Sequence, residues 1–153
     1  MQNQFYFVGP VNDPAQARHL SLTQAFGRIY QGKFSFVSRG DNSGTHVMEK
    51  RLWSMTGLDP DTFGTWYIKT QSGMLTSLQI ANEKGAYILT DQSTWLRNQA
   101  ELSNLAFITT STEGINTYSF LYKEDRFADM ARALFSPEAR QLMKQFYFEP
   151  TSR

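Results

Sequence analysis

Phe34-Ser35-Phe36-Val37-Ser38-Arg39-Gly40-Asp41-Asn42-Ser43-Gly44-Thr45 runs through a strand, a turn and a helix start without interruption. Phe34 to Ser38 alternates apolar and polar residues and is rich in aromatic and β-branched types, the period of a half-buried strand. Beyond Thr45, the residues Val47, Met48, Arg51, Leu52 and Met55 recur at helical spacing up to Gly57, where a glycine ends the pattern. Arg39 to Thr45 therefore lies where a strand ends and a helix begins. Free backbone N–H groups and the positive end of the helix dipole face whatever binds there.

Outward from this stretch the same order repeats. Gln4 to Val8 reads as a strand stopped by Gly9-Pro10, and Asn12-Asp13-Pro14 is a loop. Ser21 is the expected N-cap of a helix carrying Leu22, Ala25, Phe26, Ile29 and Tyr30, which ends at Gly32. Trp66-Tyr67-Ile68 is a short strand, and Ser72-Gly73-Met74 opens a helix that runs to Gly85. Ala86 to Thr90 is strand-like, with Asp91 and Ser93 placed to cap a short helix through Trp95 and Leu96. Leu105 to Thr109 and Tyr118 to Tyr122 are two further strands. Phe127 to Phe135 and then Ser136-Pro137-Glu138 onward read as helices, the second with Pro in its first turn.

Strands alternating with helices predict an α/β domain with a mainly parallel central sheet and helices on both faces. In such sheets ligands bind beyond the carboxyl ends of strands, so the turns at Arg39–Thr45 and Gln71–Gly73 are expected on one edge. Neither an internal repeat nor a linker divides the chain, and residues 1–153 are read as one lobe.

With 153 residues the chain is long enough for a substantial core, and 14% aromatic residues argue against disorder. A net charge of +1 gives no reason to expect nucleic acid as a partner, so anion recognition has to be local. Zero cysteines exclude disulfides, thiolate metal sites and a cysteine nucleophile. The two histidines, His19 and His46, are not at metal spacing, and no metal or cofactor is expected. The amino terminus has no basic region followed by an apolar one, so an exported parent would carry its signal outside this sequence.

Arg39 at the end of a strand, beside two hydroxyls and a helix start, offers a planar fork of donors to an oxyanion. Ser43 and Thr45 also suit plain helix capping, and a capping hydroxyl that accepts an N–H can still donate its own proton to a ligand. At Gly40 and Gly44 the missing side chain lets an anion reach the backbone. Asp41 would repel an anion, so its expected role is to orient Arg39 or cap the turn. Ser72 and Gly73 could present a second set of donors, or simply start a helix. Ser38 and Tyr118 are supporting candidates, with packing the commoner role for any one aromatic. A Gly-x-Ser-x-Gly elbow, a phosphate-binding Gly-rich loop and a nucleophile paired with a base are all absent from the sequence, which favours binding over catalysis.

Phe36 to Thr45 resembles the second lobe of the tungstate-binding proteins that serve ABC importers, a branch of the type II periplasmic binding proteins. Phe7-Val8-Gly9-Pro10 with Asn12-Asp13-Pro14-Ala15, Leu52-Trp53 with Gly57-Leu58-Asp59-Pro60, and Ala81-Asn82-Glu83-Lys84-Gly85-Ala86-Tyr87 with Leu89-Thr90-Asp91 resemble further blocks of that family. Ser136-Pro137-Glu138 resembles its closing helix. The resemblance implies a tetrahedral dianion, tungstate or molybdate, held between two lobes without metal or cofactor. Arg39 and Thr45 then correspond to the family's arginine and threonine, with Ser43, Ser72 and Gly73 beside them. The hydroxyl-rich strand end of the first lobe is not found in this chain, and Gln92 stands where arginine commonly follows the aspartate.

The expected function is oxyanion binding for an ABC importer, with this chain as a lobe carrying half of the site. The implied partners are the anion, the permease subunits and the other lobe, and the implied location is periplasmic, or extracellular with a lipid anchor. Apolar surface between lobes could make the isolated lobe dimerise. Three other readings stay open at this stage. One is a phosphate receptor, in which an inward Asp41 would accept the ligand's proton. Another is the sensory domain of an oxyanion-responsive transcription regulator, and the last is an ester-acting enzyme with His46 as its base.

Overall fold

The computed structural model describes residues 2–110, 115–117, 133 and 136–146. The strand expected at Tyr118–Tyr122, the helix expected at Phe127–Phe135 and the side chain of Tyr118 lie outside the described residues.

Six strands and five α-helices are described: β1 (Gln2–Pro10), α1 (Leu22–Gly32), β2 (Phe36–Ser38), α2 (Gly44–Met55), β3 (Tyr67–Lys69), α3 (Met74–Lys84), β4 (Tyr87–Asp91), α4 (Gln92–Asn98), β5 (Leu105–Thr109), β6 (Ile115–Thr117) and α5 (Pro137–Gln145). The sheet order is β3-β2-β4-β1-β5, with β6 paired to the start of β1. β2 pairs parallel with β3 on one side and β4 on the other, in the registers Ser38↔Lys69 and Phe36↔Tyr87. β1 is antiparallel to both β4 and β5, so β2, β3, β4 and β5 share one direction and β1 alone among these five opposes it. The sheet is mixed and mostly parallel.

Alternation along each strand feeds two cores. Phe7, Phe36, Tyr67, Tyr87 and Leu89 point to the face covered by α1 and α2, where Phe26 and Trp53 join them. Val8, Val37 and Ile88 point to the face covered by α3 and α4, against Leu78, Ala81 and Trp95. Trp53 is fully buried and its ring lies 4.5 Å from Phe26, 5.2 Å from Phe36 and 4.9 Å from Phe63. The Phe36 and Phe63 contacts are edge-to-face and the Phe26 contact is tilted, and such pairs add to the burial of apolar area.

Some local expectations need correction. β1 continues through Gly9 and Pro10, which pair with Ala106 and Leu105. Gly9 is part of the strand because the Tyr87 ring lies across it: a Cβ there would stand 2.2 Å from a ring carbon. On α2 the apolar residues Val47 and Met55 are 60% and 49% exposed, and Arg51 is also exposed. The inward face is Thr45, His46, Met48, Glu49, Leu52 and Trp53, so polar groups occupy half of what periodicity assigns to apolar ones. α3 is capped at Gly73 and not at Ser72.

The helix leaving β2 covers one face of the sheet and the helix leaving β3 covers the other. The starts of α2 and α3 thus diverge from the carboxyl ends of neighbouring parallel strands, the place where open α/β sheets bind ligands.

Candidate functional site

The first turn is fixed from within. Gly40 and Asn42 take left-handed backbone, φ +64° and +58°, which glycine and asparagine tolerate best. The Asn42 N–H donates to His46 Nδ1 at 3.0 Å. Ser43 is the N-cap of α2, its hydroxyl accepting the His46 N–H at 3.4 Å. The Arg39 guanidinium donates through Nη2 to Asp41 Oδ2 at 2.5 Å, and the Ser43 N–H donates to Asp41 Oδ1 at 3.1 Å. Both carboxylate oxygens of Asp41 are therefore engaged inside the turn. Burial alone would raise this carboxyl, but the Ser43 hydrogen bonds and the Arg39 charge outweigh it and hold the group below its ordinary value.

Arg39 is held at one end only. Its Nε–H is buried and has no acceptor among the described residues. An uncompensated buried donor on a cation is costly, and an oxyanion is the partner that best relieves it.

The second turn differs from the first. Gln71 takes left-handed backbone, φ +52°. Ser72 shares a hydroxyl contact of 3.1 Å with Ser77, which is itself 2.8 Å from the Thr70 hydroxyl. The Thr70 N–H donates to Ser38 O at 2.9 Å, tying the two turns together. Gly73, the N-cap, has no side-chain cap. A Cβ at Gly73 or Gly44 would meet nothing within 4 Å, so open space lies beside both helix starts. At Gly40, by contrast, a Cβ would lie 3.3 Å from Cβ of Lys69, which shows how closely the turns approach.

Arg39, Gly40, Asp41, Ser43, Gly44 and Thr45 thus share an edge with Ser72 and Gly73. Ser38 belongs to the layer below: it is fully buried on the face that α2 covers. His46 is 8% exposed, and burial first and Lys50 second hold its imidazole below the ordinary value. Its Nδ1 is already an acceptor for backbone, which removes that nitrogen as a base. Among the described residues, no group of three or more His, Asp or Glu stands together as metal ligands would.

Sequence reasoning missed Thr70, Ser77, Tyr67 and Glu49. Glu49 is 2% exposed and accepts from the Tyr67 hydroxyl and from Trp53 Nε1, the latter at 3.3 Å. Burial pushes its carboxyl up to about 7, against the opposing pull of those donors. The available signal was the i, i+4 spacing of Thr45 and Glu49, a polar pair on the side of a helix that also carries Met48 and Leu52.

The model of the PBP superfamily domain fits residues 1–146. The chain belongs to the PBP superfamily. Among its relatives in that superfamily is the tungstate-binding protein TupA of Peptoclostridium acidaminophilum, 36% identical over 124 residues that make up 79% of this chain and 43% of the relative. TupA of Campylobacter jejuni is 32% identical over 122 residues, 80% of this chain and 45% of the relative. The solved structure of the tungstate-binding protein TupA from Desulfovibrio alaskensis G20 superposes with a TM-score of 0.83 at 31% identity, covering 100% of this chain and 69% of that one. The chain spans less than half the length of these two curated relatives.

Proposed function

We infer that this chain is an oxyanion-binding lobe of a solute receptor and that its ligand is a tetrahedral dianion, tungstate or molybdate. The observation that carries the reading is the meeting of Arg39 with two helix starts on one sheet edge, one of them without a side-chain cap. Dipole ends, open N–H groups and a guanidinium all favour negative charge. Two PBP relatives and a solved structure named for tungstate binding support the choice of anion. By the same kinship the receptor delivers its anion to the permease of an ABC importer and works in the periplasm or at the outer cell surface.

Asp41 favours tungstate over phosphate. With one oxygen on Arg39 and the other on the Ser43 N–H, it acts as an internal clamp and not as an acceptor for a ligand's proton. A fully ionised anion suits such a site. The donors identified here form one wall, so binding by this chain alone is weak, in the range where a second wall would be expected to contribute the remainder.

Calorimetric titration of the chain and of Arg39→Ala with sodium tungstate tests the reading. The expected result is weak one-to-one binding by the chain and its loss, about a hundredfold or more, in Arg39→Ala. Equal affinities would remove Arg39 from the site and the oxyanion reading with it.

A further inference from the structure

Directly behind the first turn, four groups from three elements meet. Alternation along β2 and β3 turns Ser38 and Tyr67 toward α2. Thr45 and Glu49, both buried, stand one above the other on the helix side that faces them. Tyr67 and Trp53 both donate to Glu49 Oε1. The Ser38 hydroxyl has no partner of hydrogen-bond geometry, although it stands close enough to Glu49 and Tyr67 to favour their ionised forms.

The remaining polar surroundings are few. Lys69 of β3 acts on Glu49 from a distance, and its ammonium is bound to Asp61 at 2.7 Å. His46 and Lys50 are on the same helix, the first turned to Asn42 and the second 3.9 Å from Asp61. α1 meets α2 here through Phe26 against Trp53. Among the described residues no cation pairs with Glu49.

We propose that Glu49 couples the oxyanion seat to protons: when a dianion settles against Arg39 and Thr45, the Glu49 carboxylate takes up one proton from solvent. The inference rests on the oxyanion reading of that seat. A dianion at Thr45 and a carboxylate one helical turn behind it face each other through protein and not through water, so their repulsion is poorly screened. Protonation of Glu49 removes it. Both donors already use Oε1, which leaves Oε2 to carry the proton, with the unpartnered Ser38 oxygen beside the pair as an acceptor. Burial already holds this carboxyl near neutrality, so only a modest further push is needed to protonate it.

Carbon-13 spectra of the glutamate carboxyls, recorded from about pH 6.5 to about 9.5 with and without saturating sodium tungstate, read the coupling directly. The Glu49 midpoint is expected near 7 in the free chain and at least about one unit higher with tungstate, while tungstate affinity falls between the two midpoints, by about tenfold for each unit that separates them, and levels off above the higher one. In Glu49→Gln the affinity loses that pH dependence. Tungstate that shifts the amides of Arg39 to Thr45 but leaves the Glu49 midpoint in place would overturn the coupling alone. Amides that stay still at every pH would overturn the oxyanion reading and the coupling together. Should Glu49→Gln fail to fold, the wild-type titration decides by itself.

Discussion

Glu49 holds its proton more tightly in the folded chain than a free glutamate does, and that difference is a statement about stability. Its ordinary value is 4.5 and burial raises it to about 7. Between those values the folded state binds more protons than the unfolded one, so this group's contribution is fully present below 4.5 and is lost as pH rises to about 7. The difference corresponds to roughly 3 kcal/mol at pH 8. Urea unfolding of the wild type and Glu49→Gln at pH 5 and pH 8 measures it. The variant is expected to gain stability relative to the wild type on going to pH 8, and an unchanged difference between the two would place the Glu49 titration outside that window. Asp41 is the opposite case, a carboxyl held low by Ser43 and Arg39. The two acids of the site were not equally legible in the sequence. Asp41 lies inside a recognisable turn, and its clash with an anion already pointed to Arg39 as its partner. Glu49 carries no motif, and a glutamate on a helix is by default solvated; only the packing of Tyr67 and Trp53 across from it identifies a buried acid.

At the scale of elements, capping chemistry was easy to read and helix orientation was not. Ser21 forms a complete capping box with Gln24, and Ser43, Asp91 and Ser136 cap α2, α4 and α5, because these side chains act on backbone a few residues away. The inward face of α2 was misread because Val47 and Met55 fit the helical period while exposed, and the inner positions include the polar Thr45, His46 and Glu49. The two helix starts also differ in a way that links stability to binding. α2 is capped by Ser43, whereas α3 begins at Gly73 without a side-chain cap. Gly73→Asp should insert a capping carboxylate into open space, stabilising the fold by about 1 kcal/mol. The same charge would occupy the free N–H groups and repel an anion, so tungstate binding should fall below detection. Thermal unfolding and calorimetry on the one variant test both halves, and retained tungstate binding would exclude the start of α3 from the site.

Over the whole molecule, the α/β class and the order of strands and helices from β1 to β5 followed from periodicity, since each of these elements declares its own period. The direction of β1 did not. Its partners β4 and β5 lie some eighty to a hundred residues away in sequence, and pairing at that distance depends on the assembled sheet and not on any local pattern. Gly9 is the same lesson in miniature: a glycine that reads as a stop is required inside the strand by the Tyr87 ring packed over it. The sheet brings Ser38 and Lys69 into register, so that turns thirty residues apart lie on one edge, and the proposed function makes them one seat. The most direct test of that claim is a tungstate titration of the nitrogen-15 labelled chain followed by its amide and arginine Nε signals. The Arg39 Nε–H and the amides at Gly44, Thr45, Gly73 and Met74 are predicted to shift together along one binding curve. Shifts confined to one of the two turns, or shifts at both with different midpoints, would contradict a single seat shared by α2 and α3.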